Sequence, residues 1–425
     1  MIGNEKDIIM RSSLGLALLA TTGALFAYNP ALADTPMSAT VLEFADPQTL
    51  FVADSLGGVI HAYQLPDAGE APEASLPYNL LDFDLALADA VGGDARGIRY
   101  HDVEVHPVTQ DAYVAATVMV DGTAQPAVVA VTRDGTVVPL DLATLPSTTF
   151  SIDDQPDDGV TFWRDIPAAT FTVTDLDFAN GELFISGLST GEFASTLRRV
   201  PFPFDETSSS TGVEIYHAAH GQTETRAPIR AMSVLDIAGE PTVIAAYTCT
   251  PLVTIPVSDL ADGANISGKT IAELGYGSTP LEVLSFTVFD RQGTAQPMVL
   301  VINREMDADL ITLPALEEAA AGPAIVEPVA YLGDTAGVQT TPIPLSGVVQ
   351  AAEQDAQFLL TLRRNLDTGT MDLVSFRKGA YLRLSEFVSE YNFPDYQYAD
   401  NQFSDQTRMF QNMLKADEGF PDLAR

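Results

Sequence analysis

The sequence predicts an all-β fold built by radial repetition, and three observations carry that reading. Short runs rich in Val, Ile, Thr, Phe and Tyr, bounded by Gly, Asp, Asn and Pro, fill residues 40–380, as half-buried strands do. Helix-period stretches are scarce over the same span. One unit recurs instead, a strand, a polar turn and a more apolar strand, with anchors near residues 41, 102, 174, 232, 281 and 348.

The units follow in order. Residues 41–44 lead through Asp46 and Pro47 into 49–53, and residues 102–106 lead through Thr109 and Asp111 into 112–116. Residues 174–178 turn at Asn180 and Gly181 into 183–186, and 232–235 turn at Gly239 into 243–247. Residues 281–286 turn at Gly293 into 298–302, and 348–351 turn at Glu353 and Asp355 into 358–362. Irregular spacing with a constant internal grammar fits a propeller with loop insertions better than a strict solenoid. A single six- to seven-bladed β-propeller over residues 34–384 is therefore expected, in preference to two sandwich domains. Closure by shared first and last segments would place residues 38–46 beside the strands near 371–384.

The ends differ from this body. Arg11, an apolar stretch over 14–28 and Ala31-Leu32-Ala33 form a secretory signal with cleavage expected after Ala33, so residues 1–33 read as a signal peptide. Glu5 and Asp7 suit a signal poorly, which makes Met10 the expected start. In a Gram-negative host the mature chain would be periplasmic. Residues 385–425 form an aromatic, acidic tail in which Phe403, Phe410, Met413 and Leu414 fall near one helical face. A short amphipathic helix is expected there, covering a blade edge or docking a partner.

Charge and cysteine usage exclude several classes. The net charge of -37, from 58 acidic against 21 basic residues, opposes nucleic acid and anionic lipid surfaces. One cysteine forms no internal disulfide. With that one cysteine, no haem-attachment motif is present.

The candidate sites lie in two histidine clusters. His101, Glu104 and His106 form one, and His217 and His220, three apart, form the other with Cys249 close in the pattern. Together they offer a mixed N, O and S set suited to Zn, Cu or Fe. The competing reading makes the histidines backbone-bonding turn residues and the cysteine a small hydrophobe. On a strand, Asp102, Glu104 and His106 share one face, which an inner propeller strand would turn to the channel.

Arg226 and Arg230 could clamp a carboxylate or phosphate, with Glu224 as a further ligand-binding residue, while ion pairing with the abundant acids is the favoured reading of the two arginines. Asp154, Asp158 and Asp165 give a broken calcium-loop pattern, a candidate structural Ca site. Asp175 and Asp177 sit at strand spacing and are expected to cap turns or face solvent.

Residues 188–198, 214–228, 246–253 and 268–275, including Leu188-Ser189-Thr190-Gly191-Glu192 and Ala246-Tyr247-Thr248-Cys249-Thr250-Pro251, resemble an uncharacterised family of secreted bacterial propellers. That family is similar to the YVTN and quinoprotein-amine-dehydrogenase-like propeller superfamily. The resemblance covers residues 100–285 and implies the fold without a chemistry. Three functional readings follow. The first is an exported binding or scaffold protein that recognises a small ligand, a metal or a periplasmic protein through channel or rim. The second is a metal-dependent enzyme using both histidine clusters, which requires them to converge. The third is an accessory subunit of a periplasmic redox system.

Overall fold

The computed structural model describes residues 31–32, 35–67, 69–163, 165–205, 207–289, 292–345, 347–386, 389–393, 395–397 and 401–419. Most of the expected signal peptide thus lies outside the described residues. Ala31–Leu32 pairs with Pro146–Ser151 at a sheet edge, a pairing that cleavage after Ala33 would remove.

Each of the six repeated units begins one antiparallel sheet, and each sheet is a blade. Numbered by their innermost strands, the blades begin at Val41–Asp46, Asp94–Val105, Asp175–Ala179, Ile229–Ile237, Pro280–Phe289 and Val348–Glu353. Val41–Asp46 contacts the inner strands of blades 2 and 3, blade 3 leads to 4, 4 to 5, 5 to 6, and 6 back to 2. The ring is closed with six blades. Between the first two anchors and after blade 2, the chain adds strands Asn79–Leu80 and Pro146–Ser151 to other blades.

Alternation along the strands explains why the ring closes. Side chains point to opposite faces at a period of two, and here both faces of each sheet meet a neighbour. In Glu240–Tyr247, Val243 and Ala245 pack toward blade 3, while Ile244 and Ala246 pack toward blade 5. Six apolar cores result, one between each pair of neighbouring blades. Middle strands must therefore be apolar throughout, and Phe358–Arg364 is buried over its first five residues.

The path around the ring departs from expectation. After its first three strands the chain runs to the far side of blade 2, where Asn79–Leu80 pairs with Met371–Arg377 as the outer strand of blade 6. Helix Phe83–Val91 follows, burying Phe83 and Leu87 in the core between blades 2 and 6. Blade 2 comes next, and Pro146–Ser151 then returns to complete blade 1 against Val59–Gln64. Residues 38–46 thus do not lie beside 371–377. The closing partner is the two-residue strand Asn79–Leu80, and hydrogen bonding by Tyr78 reinforces it. Ser375 N donates to the Tyr78 carbonyl at 3.0 Å, and Tyr78 N donates to Ser375 Oγ at 2.7 Å.

The C-terminal helix Asn401–Asp417 latches onto this join. Leu414 is buried, Asn79 Nδ2 donates to the Asp417 carbonyl at 2.7 Å, and the Glu418 carboxylate accepts from the backbone of Leu384 and Ser385. Phe410 and Met409 stay exposed. No helix of the described residues is long and apolar enough to cross a membrane.

Candidate functional site

The inner strands all start at one face of the ring, so their first residues surround one mouth and their next residues the channel behind it. An inner strand has a sheet partner on one side only, which leaves backbone N–H groups facing the axis without a ladder. Carboxylates supply the missing acceptors. Asp102 Oδ2 accepts from Leu42 N at 2.7 Å, and its Oδ1 accepts from Val103 N and from Gln350 Nε2. Asp175 Oδ2 accepts from Met232 N at 2.6 Å, Asp177 Oδ2 from Val234 N at 2.9 Å, and Glu43 Oε1 from Phe178 N at 3.3 Å. All of these bonds except that from Val103 N join neighbouring blades. Asp175 and Asp177 therefore neither cap turns nor face bulk solvent.

These groups, with Glu104 and Glu282, line a cavity of about 240 Å³ in the channel. Among the described residues, no lysine, arginine or histidine lines it. Glu43 and Glu104, which accept from Phe178 N and Val105 N, line this cavity. Burial and mutual repulsion raise the pKa values of Glu43, Glu104, Asp175 and Glu282 well above the usual carboxylate range. Asp102 and Asp177 are pushed up by burial to about 6, despite the hydrogen bonds they accept. The waist of the channel thus favours the protonated form of its carboxyl groups.

The mouth has the opposite sign. A cavity of about 450 Å³ there is lined by Arg99, Arg230 and His101, with hydroxyls such as Thr40, Thr117 and Thr174. Arg230 lies over the Phe171 ring, 5.9 Å from its centroid, and its pKa is lowered by burial and by nearby Arg304. Neither Arg99, Arg230 nor Arg304 forms an ion pair with a described residue, in a chain where acids outnumber bases 58 to 21. Arg226, a candidate clamp residue with Arg230, is exposed and does not line this cavity. Glu224 is drawn to the second histidine cluster instead.

The two histidine clusters do not converge. His106 is buried and structural: its Nε2 pairs with the Pro47 carbonyl at 2.8 Å, and its Nδ1 accepts from Val108 N and Thr109 N. It therefore does not share the channel face with Asp102 and Glu104. A register shift between Tyr100 and Asp102 places His101 at the mouth, its Nε2 2.7 Å from Thr117 Oγ1. Burial and then Arg99 lower its pKa to about 4, so it is neutral at physiological pH. Blade 1 separates this blade from blade 3, which bears His217 and His220. In the broken calcium-loop pattern, Asp154 pairs with Arg198 at 2.7 Å and accepts from Ser210 Oγ.

At the outer part of the mouth face, strand Ser209–His217 ends in a tight hairpin whose return strand Gln222–Glu224 pairs back on it. Gly221, at φ +65°, makes the turn possible. The His217 and His220 rings lie 3.7 Å apart. Glu224 bonds both, Oε2 to His217 Nδ1 at 3.0 Å and Oε1 to His220 Nδ1 at 2.6 Å. Cys249 comes from the turn between two strands of blade 4. One nitrogen of each imidazole and the Cys249 sulfur lie within 4.8 Å of one another. Burial lowers the His217 pKa, but hydrogen bonds to Cys249 and Glu224 and the charges of Glu224 and Glu273 outweigh it, raising the value to about 9. Burial raises the Glu224 pKa, but hydrogen bonds from both histidines outweigh it, bringing the value to about 2.

No protein-family model and no curated protein sequence matches the chain. Among solved structures, it is similar to the hydrazine synthase of Kuenenia stuttgartiensis, at 11% identity over 82% of this chain and 98% of that one, with a TM-score of 0.31. It is similar to a glucose dehydrogenase at 13% identity, covering 81% and 97% of the two chains, with a TM-score of 0.29. Virginiamycin B lyase of Staphylococcus aureus gives 7% identity, 81% and 97% coverage, and a TM-score of 0.29. The protein is a β-propeller on the ground of its own six sheets.

Proposed function

We propose that this protein is an exported binding propeller whose ligand is a small zwitterion, taken at the mouth of the channel. The ammonium group points inward to the carboxylates of Glu43, Glu104 and their neighbours. The acidic group, carboxylate or phosphate, rests outward on Arg230 and Arg99. One observation carries the reading: the mouth lined by Arg99 and Arg230 adjoins a waist lined by carboxylates, and on one inner strand Arg99 stands three residues before Asp102 and five before Glu104. An ammonium group would replace the protons that the waist otherwise holds, and an acidic group would meet guanidinium groups already free of carboxylate partners. Export rests on the signal-like segment ending at Ala33, and the expected compartment is the periplasm.

The test is calorimetry on the purified protein with ω-amino acids and aminoalkyl phosphates, each beside its deaminated and its acid-lacking analogue. Zwitterions should bind more than tenfold tighter than either analogue, with heats that depend on the buffer because protons leave the waist. Arg230→Gln should abolish the advantage over the simple amine, and Glu104→Gln the advantage over the simple acid. Equal binding of amines and zwitterions, or an unchanged Arg230→Gln variant, would overturn the proposal.

A further inference from the structure

We propose a second, independent site at the outer part of the mouth face: His217, His220 and Cys249 bind one transition-metal cation of the zinc type, and Glu224 orients both imidazoles. The argument begins with the hairpin. Glu273, from strand Lys269–Glu273, is buried and accepts from the backbone N–H groups of Ala218 and Ala219, at 2.5 and 3.2 Å. It also accepts from the Thr250 hydroxyl. One carboxylate thus fixes the turn that carries the histidines and the residue beside Cys249. Both faces of the site, one on each of two blades, are held by the same side chain.

The imidazoles are oriented in a way that turn-capping does not require. A histidine that serves a turn bonds backbone, as His106 does. His217 and His220 both give Nδ1 to the two oxygens of Glu224, which leaves Nε2 as the remaining donor atom of each ring. A carboxylate on one ring nitrogen fixes the tautomer and raises the basicity of the other, the usual support for a metal-bound histidine. His217 Nε2 has the Thr250 hydroxyl at 3.2 Å and the Glu273 carboxylate at 4.0 Å, and the His217 ring also meets the Cys249 side chain.

The cysteine supplies an independent observation. Cys249 sits at φ +82°, a left-handed conformation that costs an L-residue roughly 1–2 kcal/mol and that glycine adopts freely. The chain keeps a thiol there, aimed at His217, where glycine would fold with less strain. Two imidazoles and a thiolate match zinc-type cations better than calcium or magnesium, which take oxygen. Three protein ligands leave a fourth position, and the exposed side of His220 opens it to solvent.

The experiment uses purified protein stripped with a chelator, kept reduced with a phosphine, and titrated with Zn²⁺ and with Co²⁺ as a spectroscopic probe. One ion per chain is expected, with a thiolate-to-cobalt charge-transfer band in the near ultraviolet. Cys249→Ser should lose that band, and His220→Ala, at an exposed position, should weaken binding more than tenfold while leaving the circular dichroism unchanged. Glu224→Gln should weaken it 10- to 100-fold while keeping the band at saturation. A wild type that binds neither ion, or ions that bind equally to Cys249→Ser and His220→Ala, would refute the site. Zwitterion binding in the channel should be unchanged in these variants, so the two proposals fail separately.

Discussion

Arg377 and Asp417 face each other fork to fork, with Arg377 Nε donating to Asp417 Oδ2 at 2.5 Å and Nη2 to Oδ1 at 2.6 Å. Arg377 belongs to the strand that receives Asn79–Leu80, and Asp417 ends the C-terminal helix. This pair therefore ties the tail to the blade that closes the ring. The guanidinium also lies over Phe358, 4.7 Å from its centroid, so it is held in place before the helix docks.

Asp417→Ala should destabilise the protein by about 1–3 kcal/mol, the range for a bidentate charged hydrogen bond with little exposure. Chemical denaturation measures it. Arg377→Ala should cost more, because packing on Phe358 is lost as well. Equal stability of wild type and Asp417→Ala would show that the helix rests on the ring without latching it. Deletion of residues 401–425 should reproduce at least the Asp417→Ala loss.

The channel makes a prediction about pH. Carboxyl groups whose pKa is raised in the folded state keep protons that the unfolded chain has already lost. Their contribution is fully favourable below the unfolded value of about 4 and is lost as pH rises through about 6, where Asp102 and Asp177 titrate. Ligand-free protein should therefore lose stability across this window on account of the waist. Glu104→Gln, which removes one repelling charge, should make the loss shallower and raise stability at pH 7 by about 1 kcal/mol. Thermal melts from pH 4 to pH 8 decide it, and an unchanged slope would mean that the waist does not titrate as described.

The six inner strands were legible because each carries a period-two pattern feeding a more apolar neighbour, and the structure has an inner strand at each anchor, although those of blades 2 and 4 start earlier, at Asp94 and Ile229. The ring order was not. It depends on Asn79 and Leu80, two residues with no periodicity of their own, whose partner is nearly 300 residues away. Asp175 and Asp177 alternate with Leu176 and Phe178 as a strand on a wet surface would, and nothing local separates a solvated face from a channel face. Arg99 and Arg304 escaped notice because they show no motif. The only signal was position, since Arg99 and Arg230 stand two or three residues before an anchor. His106 misled because the strand ends at Val105, so the alternation that Asp102 and Glu104 follow stops short of it and its ring serves the turn instead.

Cys249 allows strain and chemistry to be separated. Cys249→Gly should raise stability by about 1 kcal/mol by relieving the left-handed backbone, whereas Cys249→Ala removes the thiol and keeps the strain. Both should lose the cobalt charge-transfer band. If the two variants are equally stable in denaturant titrations, the backbone at this position stores no strain, and that support for a selected thiol falls away.

Gly187 links the packing of blade 3 to the mouth. A Cβ there would lie 2.0 Å from the Thr172 carbonyl oxygen and 2.9 Å from that of Phe171, and neither backbone atom can swing aside. Thr172 is also held by Arg198, whose Nη1 donates to its carbonyl at 3.3 Å while pairing with Asp154. Gly187→Ala must therefore push the Ala168–Phe171 turn outward, and Phe171 carries Arg230 on its ring. The expected result is a loss of about 1–3 kcal/mol of stability, as overpacking gives, together with weaker zwitterion binding. Gly239→Ala is the control. Its φ of +90° makes a side chain costly, but nothing lies within 4 Å of the added carbon, so it should lose stability and keep its affinity. Affinity lost equally in both variants would trace the effect to general loosening of the ring and sever the link between Gly187 and Arg230.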